Sequence, residues 1–330
     1  MSGGIGVGLV GLGMVSDLHR DALAEAGGIR LAAIHDIDPE TLKRRAEEWD
    51  VRNHASLDAM LDDPEVEAVY VLTPAAAHVA IASRCLEAGR HVLVEKPVSH
   101  DPAEIEGLDR LAAGRGLVCM PGHNNAYTPE FRRLLRLRDE GELGTLRGLW
   151  VHYVLRHPEE IAAAYGGILE EVMVHHAYLA LAVMGPPERI HAGIHPGAWR
   201  KLDREDQAWM VWEYPDGTTA YLFASFAADD LTTDPWTYLI KAIGTEGGTS
   251  ISWRSAVGTR RRNPWFAFGI PIYLEAYRHE TQAFAAAVRG EGAPASTLAD
   301  AATSSRIISA AYEAARSHRV IERRDAGYGW

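Results

Sequence analysis

Residues 5–16 read Ile5-Gly6-Val7-Gly8-Leu9-Val10-Gly11-Leu12-Gly13-Met14-Val15-Ser16. Ile5–Val10 is a short apolar run of the kind that forms a strand buried on both faces. Gly11 and Gly13 follow it, and a segment of helical character begins near Ser16 and runs to Ala26. Strand, glycine turn and helix in that order give the G-x-G-x-x-G pattern its required context. Gly11 permits the tight turn, and Gly13 lets a pyrophosphate approach the backbone. The helix N-terminus offers N–H groups and a positive dipole end to an anion, with Met14 and Val15 as cofactor-site candidates. Ser16 stands where the third glycine would be and is still small enough for helix–strand packing. A glycine-rich turn without a ligand is the competing reading.

Working outward, strands and helices alternate. Leu31–His35, Ala68–Leu72, His91–Glu95 and Leu117–Met120 read as strands. Pro39–Trp49, Ala76–Ala88 and Pro102–Ala113 read as the helices between them. Such alternation implies parallel pairing in a doubly wound α/β sheet. Asp36 closes the second strand about 25 residues after Gly11, near the spacing of a ribose-binding acid. Its carboxylate would accept the ribose hydroxyls and repel a 2′-phosphate. Ile37 follows, where an Arg would serve that phosphate, so the site favours NAD over NADP. Asp38 precedes Pro39 and reads as a helix cap.

Beyond Pro121-Gly122 the pattern changes. Glu130–Asp139 and Leu169–Met184 read as helices, the second stopped by Gly185-Pro186-Pro187. Leu146–Leu155, Arg189–His195, Ala208–Tyr214, Thr218–Phe226 and Tyr238–Ile243 read as strands. Pro215-Asp216-Gly217 is a hairpin turn. Helices near Tyr273–Val288 and Leu298–Arg316 close the chain. The expected domains are therefore 1–122, a Rossmann domain, and 123–330, an α+β domain with a mainly antiparallel sheet.

Two groups carry reactive chemistry. Glu95-Lys96-Pro97 follows a strand of the first domain, so Lys96 sits at the carboxyl edge of a parallel sheet, where ligands bind. An ammonium there can polarise a substrate oxygen. Glu171 and His175 are four apart in a helical segment and share a face. A carboxylate beside an imidazole is a proton-transfer pair. His176 points elsewhere, and no third ligand stands at a spacing suited to zinc, so no metal is expected.

Composition narrows the class. The chain has 330 residues, 47% hydrophobic and 24% charged, with net charge −12. That charge disfavours nucleic acid as a partner. Two cysteines, Cys85 and Cys119, exclude a disulfide framework and suit a reducing compartment. No apolar run is long enough to span a membrane.

Together these pieces resemble the glucose–fructose oxidoreductase / inositol dehydrogenase / MocA-like (Gfo/Idh/MocA) family. The resemblance rests on Val7–Gly13, Asp36-Ile37-Asp38-Pro39, Thr73-Pro74 with His78, Glu95-Lys96-Pro97, Gly122 with Pro129, Gly166–Leu169, and Glu171 through His175. Glu171 departs from the family's usual Asp by one methylene. His123-Asn124-Asn125-Ala126 stands where many members carry Arg. The resemblance implies an open-faced sheet in the second domain that pairs in a homo-oligomer, and a cytoplasmic setting. It implies that Lys96, Glu171 and His175 are catalytic. His175 would take a hydroxyl proton, Lys96 would polarise the oxygen, and Glu171 would position the ring. It adds Thr73, Pro74, His78, Glu95 and Lys96 to the cofactor site, and Asn125, Arg156 and His157 as substrate contacts. The implied activity is NAD-dependent oxidation of a sugar, cyclitol or related polyol. The alternatives are glycoside cleavage by transient oxidation, or a ligand-sensing regulator of the same fold.

Overall fold

The computed structural model describes residues 4–157, 159–162, 166–196, 198–199, 201–227, 236–252, 271–325 and 329–330. It divides into two compact units. One comprises Met1–Tyr127 with Tyr273–Ala302, the other Thr128–Ile272 with Thr303–Trp330. The sequence boundary at 122/123 is therefore not the division that chain contacts draw. Tyr273–Ala302 joins the first unit because its aromatic and alanine faces complete that unit's core.

In the first unit the order is β1 (Ile5–Val10), α1 (Met14–Glu25), β2 (Ile29–His35), α2 (Pro39–Trp49), β3 (Arg52–Asn53), α3 (Leu57–Leu61), β4 (Ala68–Val71), α4 (His78–Glu87), β5 (His91–Glu95), α5 (Pro102–Arg115) and β6 (Cys119–Gly122). The six strands are all parallel, in the order β3-β2-β1-β4-β5-β6. Val7, Leu9, Val69, Val71, Val92 and Val94 are buried, as strands covered on both faces require. The strand order reverses between β1 and β4, the switch point at whose carboxyl end such sheets bind ligands. Asp38 caps α2 as expected: its carboxylate accepts from Glu40 N and Thr41 N, with Pro39 in the first turn. Such a cap is worth about 1 kcal/mol.

The second unit begins with α6 (Pro129–Asp139), β7 (Leu146–Val154) and α7 (Glu159–Ala162). A π-helical turn, Leu169–Met173, leads into α8 (Val174–Met184). Then come β8 (Arg189–His195), β9 (Gln207–Glu213), β10 (Thr219–Ser225), β11 (Thr237–Gly244) and β12 (Gly248–Ser252). After α9 (Pro271–Val288) and α10 (Leu298–Ser317), β13 (Ile321–Glu322) closes the sheet. Its order is β12-β11-β7-β10-β9-β8-β13, antiparallel throughout except for β7 beside β10.

Period-two alternation gives this sheet two characters. Ala208, Met210, Trp212, Ala220, Leu222 and Ala224 point into the core. Trp209 and Tyr221 point outward and stay 44% and 39% exposed. Trp150 stacks on Tyr221 across the parallel pair, with ring centroids 5.5 Å apart.

The expected helix over Leu169–Met184 is thus not uniform. Its first turn is π-helical, a local widening that recurs at functional sites. The short β3, α3, α7, β12 and β13 were not anticipated. β3 and β13 have two residues each, too few for a periodic pattern to register.

Candidate active site

In the first unit every expected site residue lies at or beside the carboxyl ends of the strands. Gly11 has φ +90°, and a Cβ there would stand 2.8 Å from Leu72 C and Thr73 N. Only glycine combines that dihedral with that proximity. A Cβ on Gly13 would meet nothing within 4 Å, so its surface faces open space. Gly13 is the N-cap of α1 and no side chain caps the helix. Ser16 is fully buried, and its Oγ donates to Gly13 O at 2.5 Å, which holds the turn against the helix. Met14 is 43% exposed beside it.

Asp36 is tied into the same loop. Its Oδ2 accepts from Leu12 N at 2.8 Å and its Oδ1 from Asp38 N at 2.9 Å. Each carboxylate oxygen keeps acceptor capacity for a further donor. Ile37 next to it is 95% exposed. The uncapped helix start, the open Gly13 and the anchored Asp36 fit a dinucleotide.

His78 stands elsewhere than on the loop surface. It is 1% exposed, with Nε2 2.6 Å from Thr73 O and Nδ1 2.9 Å from Pro97 O. Burial pulls it below the ordinary imidazole value. The ring packs between the Thr73-Pro74 and Lys96-Pro97 loops and, when neutral, donates its one N–H to one of the two carbonyls.

Glu95 is likewise buried. One oxygen lies 3.0 Å from His19 Nε2 and the other accepts from Lys96 N at 2.9 Å. It sets the backbone from which Lys96 departs. Asn125 lies in a 3₁₀ turn, Asn124–Tyr127, and its N–H is held by Asn124 Oδ1 at 2.8 Å. His123 anchors that turn through Nδ1, 2.6 Å from Ser296 Oγ. Burial pushes His123 down to about 3.

In the second unit, Glu171 is on the π-helical turn and His175 on the first turn of α8. Glu171 Oε1 accepts from Gly166 N at 3.0 Å. His175 Nδ1 lies 2.7 Å from the Tyr178 hydroxyl. Sequence reasoning missed Tyr178, although its i,i+3 relation to His175 was legible. It also missed Glu205, whose buried carboxylate accepts from Leu169 N and from the Tyr312 hydroxyl at 2.7 Å. A Cβ at Gly167 would overlap that carboxylate. The Gly166-Gly167 pair therefore lets an acid press against the start of the π turn.

Arg156 and His157 border a cleft of about 330 Å³ with Glu159, Trp199 and Phe226. Arg156 is exposed. His157 is pushed down to about 4 by burial, and its carbonyl accepts from Trp199 Nε1 at 3.1 Å. Cys85 and Cys119 are pushed well up by burial, which leaves both thiols protonated and inert.

Two family models match the chain. Residues 5–123 match an oxidoreductase family with an NAD-binding Rossmann fold, and residues 131–250 match the GFO/IDH/MocA C-terminal domain. The chain belongs to the Gfo/Idh/MocA oxidoreductase family. Among its relatives is the uncharacterized oxidoreductase YrbE of Bacillus subtilis, 25% identical over 85% of both chains. The inositol 2-dehydrogenase of Rhizobium meliloti is 24% identical, covering 90% of this chain and 96% of the relative. Among solved structures, GenD2 from gentamicin A biosynthesis, in complex with NAD, superposes with TM-score 0.85 at 27% identity. That match covers 98% of this chain and 97% of the other. As a Gfo/Idh/MocA protein the chain carries the fold read from its first strand. Among the described residues no helix is long and apolar enough to cross a membrane.

Proposed function

We propose that this Gfo/Idh/MocA protein is an NAD-preferring dehydrogenase of a sugar, cyclitol or related polyol. The observation that carries the reading is the Asp36 carboxylate, bonded to Leu12 N of the glycine loop and followed by an exposed Ile37. Gly11, Gly13, Met14, Val15, Asp36, Thr73 and Pro74 would hold the dinucleotide, with its pyrophosphate at the start of α1. When bound, the nicotinamide supplies the hydride acceptor.

The chain's own residues do the rest. Lys96 polarises the substrate oxygen, which favours loss of its proton. His175 takes that proton as general base. Its Nδ1 lies within hydrogen-bond distance of the Tyr178 hydroxyl, which orients the ring for that task. Glu171 supports the imidazole from the preceding turn. Asn125, Arg156 and His157 are the substrate contacts in this reading, and the enzyme works in the cytoplasm as a homo-oligomer paired through the outer sheet face.

The test is absorbance in the NADH band with a panel of inositols, aldoses and glycosides, each with NAD and with NADP. Reduction of NAD by a polyol supports the reading. Cleavage of a glycoside with no net NADH points instead to transient oxidation, and binding without either reaction points to a sensor.

A further inference from the structure

The Lys96 loop rests on a buried polar group that the reading above leaves unused. Four elements of the first unit contribute to it: α1 gives His19, β4 gives Tyr70, β5 gives Glu95, and α9 gives Tyr277, Glu280 and Thr281. His19, Glu280 and Thr281 are fully buried, and Tyr70 is as well. The rings form one body. His19 meets Tyr70 edge-on at 5.4 Å and Tyr277 at 4.9 Å, and Tyr70 meets Phe284 at 5.3 Å.

Only part of this group is hydrogen-bonded. Glu95 takes His19 Nε2 on one oxygen and Lys96 N on the other. Among the described residues, both oxygens of Glu280 and Nδ1 of His19 lack a partner, while the Tyr70 and Thr281 hydroxyls interact with each other. Unpartnered buried polar atoms are uncommon, and several around one catalytic loop call for an explanation.

Charge supplies it. Glu280 lies in the field of Glu95, and Tyr70 and Tyr277 lie in the field of Glu280. Lys96 and His19 act on Glu95. Two carboxylates thus share a buried interior in which His19 is the imidazole bonded to Glu95, with Lys96, His78 and His123 also in the field of Glu95, and both cannot ionise cheaply. Glu95 has the donors, so burial there is outweighed and it is held below the usual carboxylate value. Glu280 has none, and burial pushes it far above. Environments that drive two acids apart assign their protonation states.

We propose that His19, Glu95 and Glu280 form one buried acid–base unit behind Lys96, in which Glu95 is the anion, Glu280 keeps its proton, and His19 fixes Glu95. Lys96 then faces one negative charge held in one place. His19 and Glu280 are positioning residues, since they act through Glu95. The proposal rests on the dehydrogenase reading for its kinetic consequence alone.

Two measurements on the full-length protein test it. Infrared difference spectra of wild type against Glu280→Gln at neutral pH should show the carbonyl band of a protonated carboxylic acid in wild type only. Absence of that band overturns the protonation assignment, whatever the enzyme does. In kinetics, His19→Leu should lower kcat by up to about 100-fold, the scale of a small misplacement of a catalytic group. NAD affinity should stay within about threefold, because the glycine loop is untouched. His19→Gln, which keeps an N–H donor, should recover most of the rate. Glu280→Ala should be slow and Glu280→Gln, the isostere of a neutral acid, should rescue it. Loss of melting temperature with kcat intact in His19→Leu would mean a merely structural role and would overturn the proposal. If His19→Leu fails to fold, the gap between His19→Gln and wild type, read with the Glu280 pair, still decides. If wild type oxidises no polyol, the functional reading fails, and the infrared band still decides the buried acid.

Discussion

The hydroxyl of Tyr178 lies 2.7 Å from Nδ1 of His175, one helical turn further along α8. Tyr178 is buried while His175 is only half-buried, so the tyrosine is the fixed partner and the imidazole the presented one. With Nδ1 engaged, the ring is held in one orientation. If His175 is the base, kcat/KM for oxidation should rise with pH across one ionisation. His175→Ala should abolish that limb and slow turnover by about 10²–10⁴-fold. Tyr178→Phe should cost less, about tenfold in kcat, because the base survives but loses its orienting bond. A Tyr178→Phe enzyme with unchanged rate and pH profile would show that the bond does not matter to catalysis.

Lys96 should be separable from cofactor binding. Lys96→Ala should reduce turnover by about 10²–10³-fold, the usual effect of removing one charge-stabilising group. NADH binding, followed by fluorescence, should change little if Gly11, Gly13 and Asp36 hold the dinucleotide as proposed. A variant retaining more than a tenth of the wild-type rate would remove Lys96 from the mechanism.

Cofactor choice should reside in two adjacent residues. Asp36→Ser with Ile37→Arg removes a repelling carboxylate and adds a guanidinium at an exposed position. The preference should move from NAD toward NADP. Comparable wild-type affinity for the two cofactors would contradict the role given to Asp36. The double variant also frees Leu12 N from its bond to Asp36, so a modest loss of stability should accompany the switch.

The start of the π turn should be sensitive to volume. Tyr312→Phe removes a donor from the Glu205 carboxylate and should cost about 1 kcal/mol. Gly167→Ala drives a methyl into the same carboxylate and should cost about 1–3 kcal/mol, the range of overpacking. Denaturant melts would measure both. Equal stability of wild type and Gly167→Ala would mean that Glu205 moves aside freely.

Acid should unfold the protein partly through two histidines. His123 and His176 are both buried, and burial pushes each down to about 3. In the unfolded chain each titrates near the ordinary imidazole value of about 6.5. The unfolded state therefore binds more protons between those values, and stability falls as pH drops from about 6.5 toward 3. His176→Leu should flatten the dependence of melting temperature on pH in that window. An unaltered slope would place the acid-labile groups elsewhere.

How much was legible before the fold was known follows from the range of each interaction. The first strand, its glycine turn and α1 are local, set by residues within a dozen positions, and the sequence stated them almost to the residue. So did the alternation of strands and helices, because burial on one or both faces imposes a period on the chain. Asp36, Lys96 and the Glu171/His175 pair were visible because each follows or sits within such an element. The sequence by itself thus determined the strand–helix order, the nucleotide loop and the candidate reactive groups. Tertiary structure decided what those groups touch. His78 turned out to be a buried staple between two loops, not part of their surface. Glu205, Tyr312, His19 and Glu280 carry no local signal, since the groups that act on them stand tens to more than a hundred positions away. A carboxylate's role depends on whether donors or apolar groups surround it. That depends on which distant segments pack together, as when α9 returns to the first unit and lays Glu280 beside Glu95.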